Sequence, residues 1–101
     1  MEHVTWAEVD LDAIANNARE LKKHVGAQTI LCAVVKANAY GHGALPVAQV
    51  ALENGAGRLA VSRAEQGLAL RKGGIEAPIL VMGYATPGQA TSIVQLSLIH
   101  I

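Results

Sequence analysis

The chain has 101 residues, which is enough for one domain with a buried core. Eight Lys and Arg balance eight Asp and Glu without any run of like charges, so no nucleic-acid partner is expected. A single cysteine, an acidic N-terminus unlike a signal peptide and no apolar stretch of membrane-spanning length predict a soluble, cytoplasmic protein without a membrane partner.

The first predicted elements are a strand and a helix. Residues 5–11, TWAEVDL, alternate between apolar and polar side chains, which is the period of a half-buried strand. Apolar residues then recur every three or four positions up to Val25, after a possible N-cap at Asp10. Basic side chains in the last turn favour the helix dipole. We predict a helix over residues 11–24.

From residue 30 onward, predicted strands alternate with predicted helices. Continuous apolar runs indicate strands covered on both faces at 30–35, 58–62 and 78–83. Helices are predicted over 44–53 and 62–72, and Thr86-Pro87 is typical of a further helix start. Ser62 and Glu65 have the spacing of a capping box, and Cys32 is interpreted as a small core residue.

This order of elements predicts an α/β fold with a parallel sheet. Two architectures remain open, a doubly wound sheet and part of a (β/α)8 barrel. A complete barrel needs about 250 residues, so this chain would supply about three of the eight units. Three strands with unpaired edges would leave apolar surface uncovered, and we therefore expect an incomplete chain. We divide it into a strand segment, residues 1–11, and an α/β domain, residues 12–101.

Lys36 directly follows the first buried strand, at the end where both architectures bind ligands. One interpretation is a lysine that extends from a strand end with its stem on apolar neighbours. The other is a partly desolvated amine that attacks a carbonyl and forms a Schiff base, with the preceding valines as a rigid apolar wall. Tyr40 offers a phenolic donor, while Gly41 and Gly43 allow close backbone approach.

Other interpretations of this loop fit the residues poorly. The sequence from Gly41 to Pro46, GHGALP, lacks the third small residue of a dinucleotide-binding fingerprint. No Lys-Ser or Lys-Thr pair follows the glycines, as a phosphate-binding Walker loop requires. His42 has no metal-binding partner at a usable spacing, so we expect no metal site.

Residues 33–43, AVVKANAYGHG, resemble the pyridoxal-phosphate attachment signature of the alanine racemase family. The preceding TWAEVDLDAI is similar to the opening of the same family. So are the following segments AQVALENGAGRLAVSRAEQG and GIEAPILVMG, in order and spacing. The resemblance covers most of the chain and weakens in SIVQLSLIHI, where LSLIHI is interpreted as a fourth barrel strand.

The resemblance implies a fold-type III enzyme with an N-terminal barrel that carries pyridoxal phosphate, a C-terminal β domain and a homodimeric assembly. The N-terminal strand segment would belong with the β domain. Lys36 matches the lysine that is linked to the cofactor and later moves a proton at the substrate α-carbon. Tyr40 matches the tyrosine that hydrogen-bonds the phosphate. Val34 and Met82 match positions that line the cofactor pocket.

The implied activity is the interconversion of L-alanine and D-alanine, with the D-alanine used for peptidoglycan. A racemase of the same fold type that acts on serine, lysine or many amino acids is an alternative, as is a non-catalytic pyridoxal-phosphate-binding module. Racemisation needs a second acid–base group on the opposite face of the substrate. In this family that group is a tyrosine of the partner subunit's C-terminal domain, so we expect the chain alone to be inactive.

Overall fold

The computed structural model describes residues 4–100, and its centre is a parallel sheet of four strands. The strands are β1 (Leu31–Val34), β2 (Ala56–Val61), β3 (Ile79–Val81) and β4 (Leu98–His100). The helices are α1 (Leu11–Val25), α2 (Ala44–Glu53), α3 (Ala64–Lys72) and α4 (Ala90–Gln95), and a 3-10 helix, Pro87–Gln89, precedes α4. Within residues 4–100, none of the helices has the length and apolar composition needed to cross a bilayer.

The strand order decides between the two predicted architectures. The order is β1-β2-β3-β4, and each strand pairs in parallel with the next one along the chain. A doubly wound sheet reverses its strand order at a switch point, whereas a (β/α)8 barrel adds each strand beside the last. The sheet is therefore one arc of a barrel, the architecture that the resemblance implied.

The core lies between the helices and one face of the sheet. Side chains of β2, β3 and β4 that share this face pack with the buried side of α2 and α3; the central members are Ala48, Leu59, Val61, Leu70, Ile79, Val81 and Leu98. The alternate side chains point to the opposite face, which no helix covers in the described part of the chain. We call this opposite face the inner face, defined by Cys32, Val34, Arg58, Ala60, Leu80 and Ile99.

The predicted strand at residues 5–11 is wrong. Residues 4–10 form neither helix nor strand and are exposed, and α1 begins at Leu11. An extended segment becomes a strand only when a neighbour supplies hydrogen bonds, and none of the four strands described above pairs with this one. The predicted N-cap is confirmed, because Asp10 Oδ1 accepts hydrogen bonds from two backbone N–H groups of the first turn at 3.0 and 3.1 Å.

The remaining elements lie within about two residues of their predicted bounds, the ordinary scatter of helix and strand ends. The helix predicted over 11–24 ends at Val25, and the helix over 44–53 has the predicted bounds. The fourth strand inside LSLIHI is confirmed as β4. The division of the chain into residues 1–11 and 12–101 stays a prediction. Residues 1–3 of the first part and residue 101 of the second lie outside the described residues.

The predicted capping box of α3 is wrong by one residue. Gln66, rather than Glu65, reaches back: its Oε1 accepts from the backbone N–H groups of Ser62 and Arg63 at 2.9 and 3.1 Å. Glu65 instead pairs with Arg63 at 3.3 Å. The pKa of Glu65 is lowered because its carboxylate accepts from its own backbone N–H and also faces the Arg63 guanidinium.

The prediction that Cys32 is a core residue is also wrong. Cys32 is exposed on the inner face, where it lies opposite Arg58 of β2. The continuous apolar run predicted cover on both faces of β1, but helices cover only one face in this structure. The pKa of the Cys32 thiol is raised because partial burial disfavours the thiolate, and the nearby Arg58 guanidinium opposes that effect.

Arg71 ties the end of α3 to the segments that lead into β3 and β4. Its guanidinium donates to the carbonyl oxygens of Ile75, Ala77 and Leu96 at 2.9, 2.7 and 2.9 Å. These acceptors belong to three separate loop positions, so one side chain fixes the entry to two strands. Hydrogen bonds from a charged donor are stronger than neutral ones.

Replacing Arg71 with methionine should lower the free energy of unfolding by about 2–4 kcal/mol, because three carbonyl groups lose a charged donor while the apolar stem is kept. Urea denaturation measures the change. The matched control is Lys72→Met at the exposed neighbouring position, where we expect a loss of less than about 1 kcal/mol. Equal unfolding midpoints for the two variants would contradict the role given to Arg71.

Candidate active site

Lys36 lies at the carboxyl edge of the sheet, two residues after β1 ends. Between them, the Val35 N–H donates to the Ala60 carbonyl at 2.9 Å and the Val35 side chain is buried in the core. The start of the loop is therefore fixed to β2 by both a hydrogen bond and packing. Lys36 itself is half-buried. The structure thus places the lysine where barrel proteins hold their ligands.

The backbone becomes left-handed immediately after Lys36. Ala37, Asn38, Ala39 and Tyr40 have φ angles of 50°, 56°, 55° and 57°. Four consecutive non-glycine residues in this region are unusual, since each costs about 1–2 kcal/mol relative to the right-handed conformation. We call Lys36–Tyr40 the left-handed turn.

Backbone hydrogen bonds and packing hold this turn. The Ala39 N–H donates to the Val35 carbonyl at 3.0 Å, and the Gly41 N–H donates to the Ala37 carbonyl at 3.1 Å. The Ala39 side chain is 4% exposed and belongs to the core cluster. Gly41 ends the turn with a φ of 91°, a conformation in which any side chain would be strained. Stored backbone strain of this kind is typical of functional sites.

The turn brings two of the predicted site residues together. Lys36 Nζ lies 6.0 Å from the centroid of the Tyr40 ring, at the limit of a cation–π contact. The Tyr40 side chain is 60% exposed, which leaves its hydroxyl accessible to a ligand. An amine that can attack a carbonyl and a phenol that can donate to an anion are therefore side by side.

The other two predicted residues flank this pair at the same edge of the sheet. Val34 is the last residue of β1, on the inner face, and is 38% exposed. Met82 follows β3, is 39% exposed, and its N–H donates to the Val61 carbonyl at 2.8 Å. Both side chains leave apolar surface open at the carboxyl edge. Their part in holding a cofactor stays a prediction.

Gly83 lets the ends of β2 and β3 approach closely. Its N–H donates to the Ser62 carbonyl at 3.0 Å, and a Cβ at this position would overlap that same oxygen. Only glycine therefore permits the two strand ends to lie this close. The position of Met82, one residue earlier, depends on this approach.

The substitution Gly83→Ala should lower the free energy of unfolding by about 1–3 kcal/mol, because the new methyl group must push two backbones apart. Amide hydrogen exchange at Met82 should accelerate as its hydrogen bond to β2 weakens. The control is Gly88→Ala, whose Cβ would meet only Thr86 Oγ1, at 3.9 Å. If both variants unfold at the same urea concentration, the close approach of the two strand ends at Gly83 does not constrain the residue at that position.

The fold and the site define a class of protein: a parallel α/β barrel, here one arc of it, with a lysine amine and a phenol at the carboxyl ends of its strands. Comparison with known proteins identifies the family. The family model described as "Alanine racemase, N-terminal domain" matches residues 9–101. The chain belongs to the alanine racemase family, and the match includes the C-terminal segment in which the resemblance weakens.

Curated relatives give the same result. The chain is 53% identical over 89 residues to the alanine racemase of Desulforamulus reducens and 56% identical over 91 residues to that of Geobacillus stearothermophilus. These matches cover 88% and 90% of this chain and 24% of each relative. The chain thus spans about a quarter of the length of the curated relatives it matches.

Solved structures confirm the fold. The crystal structure of alanine racemase from Bacillus anthracis with bound L-Ala-P matches 99% of this chain and 26% of that chain, with a TM-score of 0.94 and 45% identity. The alanine racemase from E. faecalis matches 91% of this chain and 25% of its own, with a TM-score of 0.89 and 33% identity. The described sheet is therefore the first part of the barrel of these racemases.

The sequence did not predict the left-handed turn. Its only local signals are Asn38 and the glycines at 41 and 43, the residue types that tolerate positive φ. Alanine, which occupies positions 37 and 39, favours a right-handed helix instead. The conformation depends on the hydrogen bond that fixes Val35 to β2 and on the burial of Ala39 in the core, which no local pattern shows.

Proposed function

We propose that this chain is the cofactor-bearing N-terminal part of an alanine racemase that interconverts L-alanine and D-alanine with pyridoxal phosphate linked to Lys36. The observation that carries the proposal is the Lys36 amine held beside the Tyr40 ring at the carboxyl edge of the barrel arc. Alanine is favoured over serine or lysine as the substrate because the matched curated relatives bear the name alanine racemase.

The residues present fit pyridoxal phosphate, which combines an aldehyde, a phosphate and an aromatic ring. Lys36 supplies the primary amine that an aldehyde requires. Tyr40 supplies a hydroxyl donor for the phosphate, four residues away and on the same turn. Val34 and Met82 would offer apolar surface to the ring, since both side chains are more than one-third exposed at this edge.

Held by Lys36 and Tyr40, pyridoxal phosphate would supply a ring able to delocalise the negative charge left by removal of the substrate α-proton. Lys36, once the substrate amine has taken its place, is free to accept or return a proton on one face of the α-carbon. Tyr40 would hold the phosphate by a hydrogen bond from its hydroxyl and so restrict the position of the cofactor relative to the Lys36 amine.

A single base returns the proton to the face from which it came, so inversion needs a second group on the opposite face. We propose that this group lies in the remainder of a longer protein, in the partner subunit of a homodimer. The D-alanine produced would serve peptidoglycan synthesis in the cytoplasm. The match to only a quarter of each relative supports a division of the site between this chain and further chain segments.

Incubation with pyridoxal phosphate, reduction with borohydride and peptide mass mapping should place the label on Lys36. Its amine lies beside Tyr40, whose hydroxyl can donate a hydrogen bond to the phosphate. Lys36→Arg, which keeps the positive charge, should abolish the label. Lys72→Arg is the control, since Lys72 is an exposed lysine at the end of α3, remote in sequence from the turn. A label on another lysine, or no label in the unmodified chain, would end the proposal.

The chain of residues 1–101 should show no measurable racemisation of alanine, because it carries the base for one face only. A coupled assay with D-amino-acid oxidase detects D-alanine formed from L-alanine. The same preparation should still carry the cofactor on Lys36, which separates absent turnover from absent binding. Turnover by this chain alone would show that both bases lie within it and would contradict the divided site.

A further inference from the structure

Asn38 joins the left-handed turn to helix α2 through its side chain. Its Oδ1 accepts a hydrogen bond from the Ala44 N–H at 2.8 Å, and its backbone carbonyl accepts from the Gly43 N–H at 2.9 Å. Ala44 is the first residue of α2, and the N-cap residue Gly43 has no side chain with which to cap the helix. Asn38 therefore provides, from within the turn, the acceptor that an N-cap side chain normally gives.

The Asn38 side chain has a second, separable effect on its own backbone. Its φ of 56° lies in the left-handed region, which asparagine tolerates better than most residues. Glycine tolerates the same conformation at least as well but has no oxygen to offer Ala44. The substitution Asn38→Gly therefore removes the link to α2 while leaving the left-handed backbone easy to form.

Helix α2 is a firm support for this link. Ala48 and Ala51 on its inward side are buried, Ala48 completely. Lys36 begins the turn and Tyr40 ends it, so a turn fixed at Asn38 has little freedom to change the separation of these two side chains. Without the Oδ1 bond, the segment before α2 is still joined to the turn by main-chain hydrogen bonds and by the His42 ring, whose Nδ1 lies 2.9 Å from the Ala39 carbonyl oxygen, but the Ala44 N–H has lost its side-chain acceptor.

We propose that Asn38 is a positioning residue that, through its bond to Ala44, sets the separation of the Lys36 amine and the Tyr40 hydroxyl so that both engage one pyridoxal phosphate. The proposal rests on the proposed function. A ligand held at two points gains the full benefit of the second contact only when both groups are prearranged. The Asn38–Ala44 bond is exposed, so water replaces it at little expense in stability when it is lost.

The test compares pyridoxal phosphate with pyridoxal, which has the aldehyde but no phosphate. Apparent dissociation constants for both, measured by absorbance and confirmed at Lys36 by borohydride mapping, give the preference for the phosphate form. We expect Asn38→Gly to reduce this preference about tenfold, the size of a charged hydrogen bond, with the affinity for pyridoxal changed less than about twofold. Tyr40→Phe should have the same effect, and the double variant should lose nothing more.

The matched control is Asn54→Gly at the other end of α2. Asn54 accepts from Arg19 Nη1 at 2.6 Å and donates to the Val50 carbonyl at 2.7 Å, so its loss disturbs the same helix without touching the turn. It should leave the preference unchanged. Equal loss of affinity for both aldehydes in Asn38→Gly, or additive losses with Tyr40→Phe, would overturn the positioning role. A wild-type chain unlabelled at Lys36 would instead remove the proposed function itself.

Discussion

The candidate site depends on one constraint, the change to a left-handed backbone between Val35 and Gly41. Four consecutive L-residues with positive φ together cost about 4–8 kcal/mol against the right-handed alternative. The turn is held by the core on both sides of Lys36. Val35, just before the turn, is fixed to β2 and buried, and Ala39 within the turn is buried in the same core, while the exposed side chain of Asn38 is bonded to the first residue of α2. The strain is thereby concentrated beside Lys36 and offset by packing that already exists for the fold.

The two faces of the sheet have different roles in this chain. The helix-covered face has the fully buried side chains and holds the strands in register. The inner face keeps Cys32, Val34 and Ile99 exposed, as expected for an arc whose opposite wall would come from further strands of a barrel. The side chains that stabilise the fold thus lie on one face of the strands, and the exposed side chains lie on the other. The site residues lie where the strands end, so substitutions there can change binding with little effect on the core.

Periodicity predicted most of the fold because it reports burial directly. The apolar stripe of α1 and the runs of β2 and β3 correspond to real contacts with the core. The pattern failed where burial or pairing depends on distant chain. The alternation at residues 5–11 has no partner strand among the four described, and Cys32 lies on the face of β1 that no helix of residues 4–100 covers. The predicted capping box was wrong by one residue because the helix begins one residue later than assumed: the N-cap is Arg63, and the residue three positions after it is Gln66.

Some residues of the candidate site were predicted from the sequence and others were not. The position of Lys36 at a strand end made it a candidate nucleophile from the residues alone. The resemblance to the family supplied the identity of the cofactor and the expectation that Tyr40 binds its phosphate. The role of Asn38 was not predicted, because it follows from the handedness of the turn. Local preference at Ala37 and Ala39 opposes that handedness. A site built on strain is the part of a protein that local sequence rules describe least well.

The most direct test of this account is the effect of Ala37→Gly on the free energy of unfolding. Ala37 is exposed and has a φ of 50°, so glycine removes strain there without removing buried surface. We expect the unfolding free energy in urea to rise by about 1 kcal/mol. Ala69→Gly, at an exposed position inside the right-handed helix α3, should lower it by about 1 kcal/mol. A similar loss of stability in both variants would contradict the left-handed turn and, with it, the arrangement of Lys36 and Tyr40.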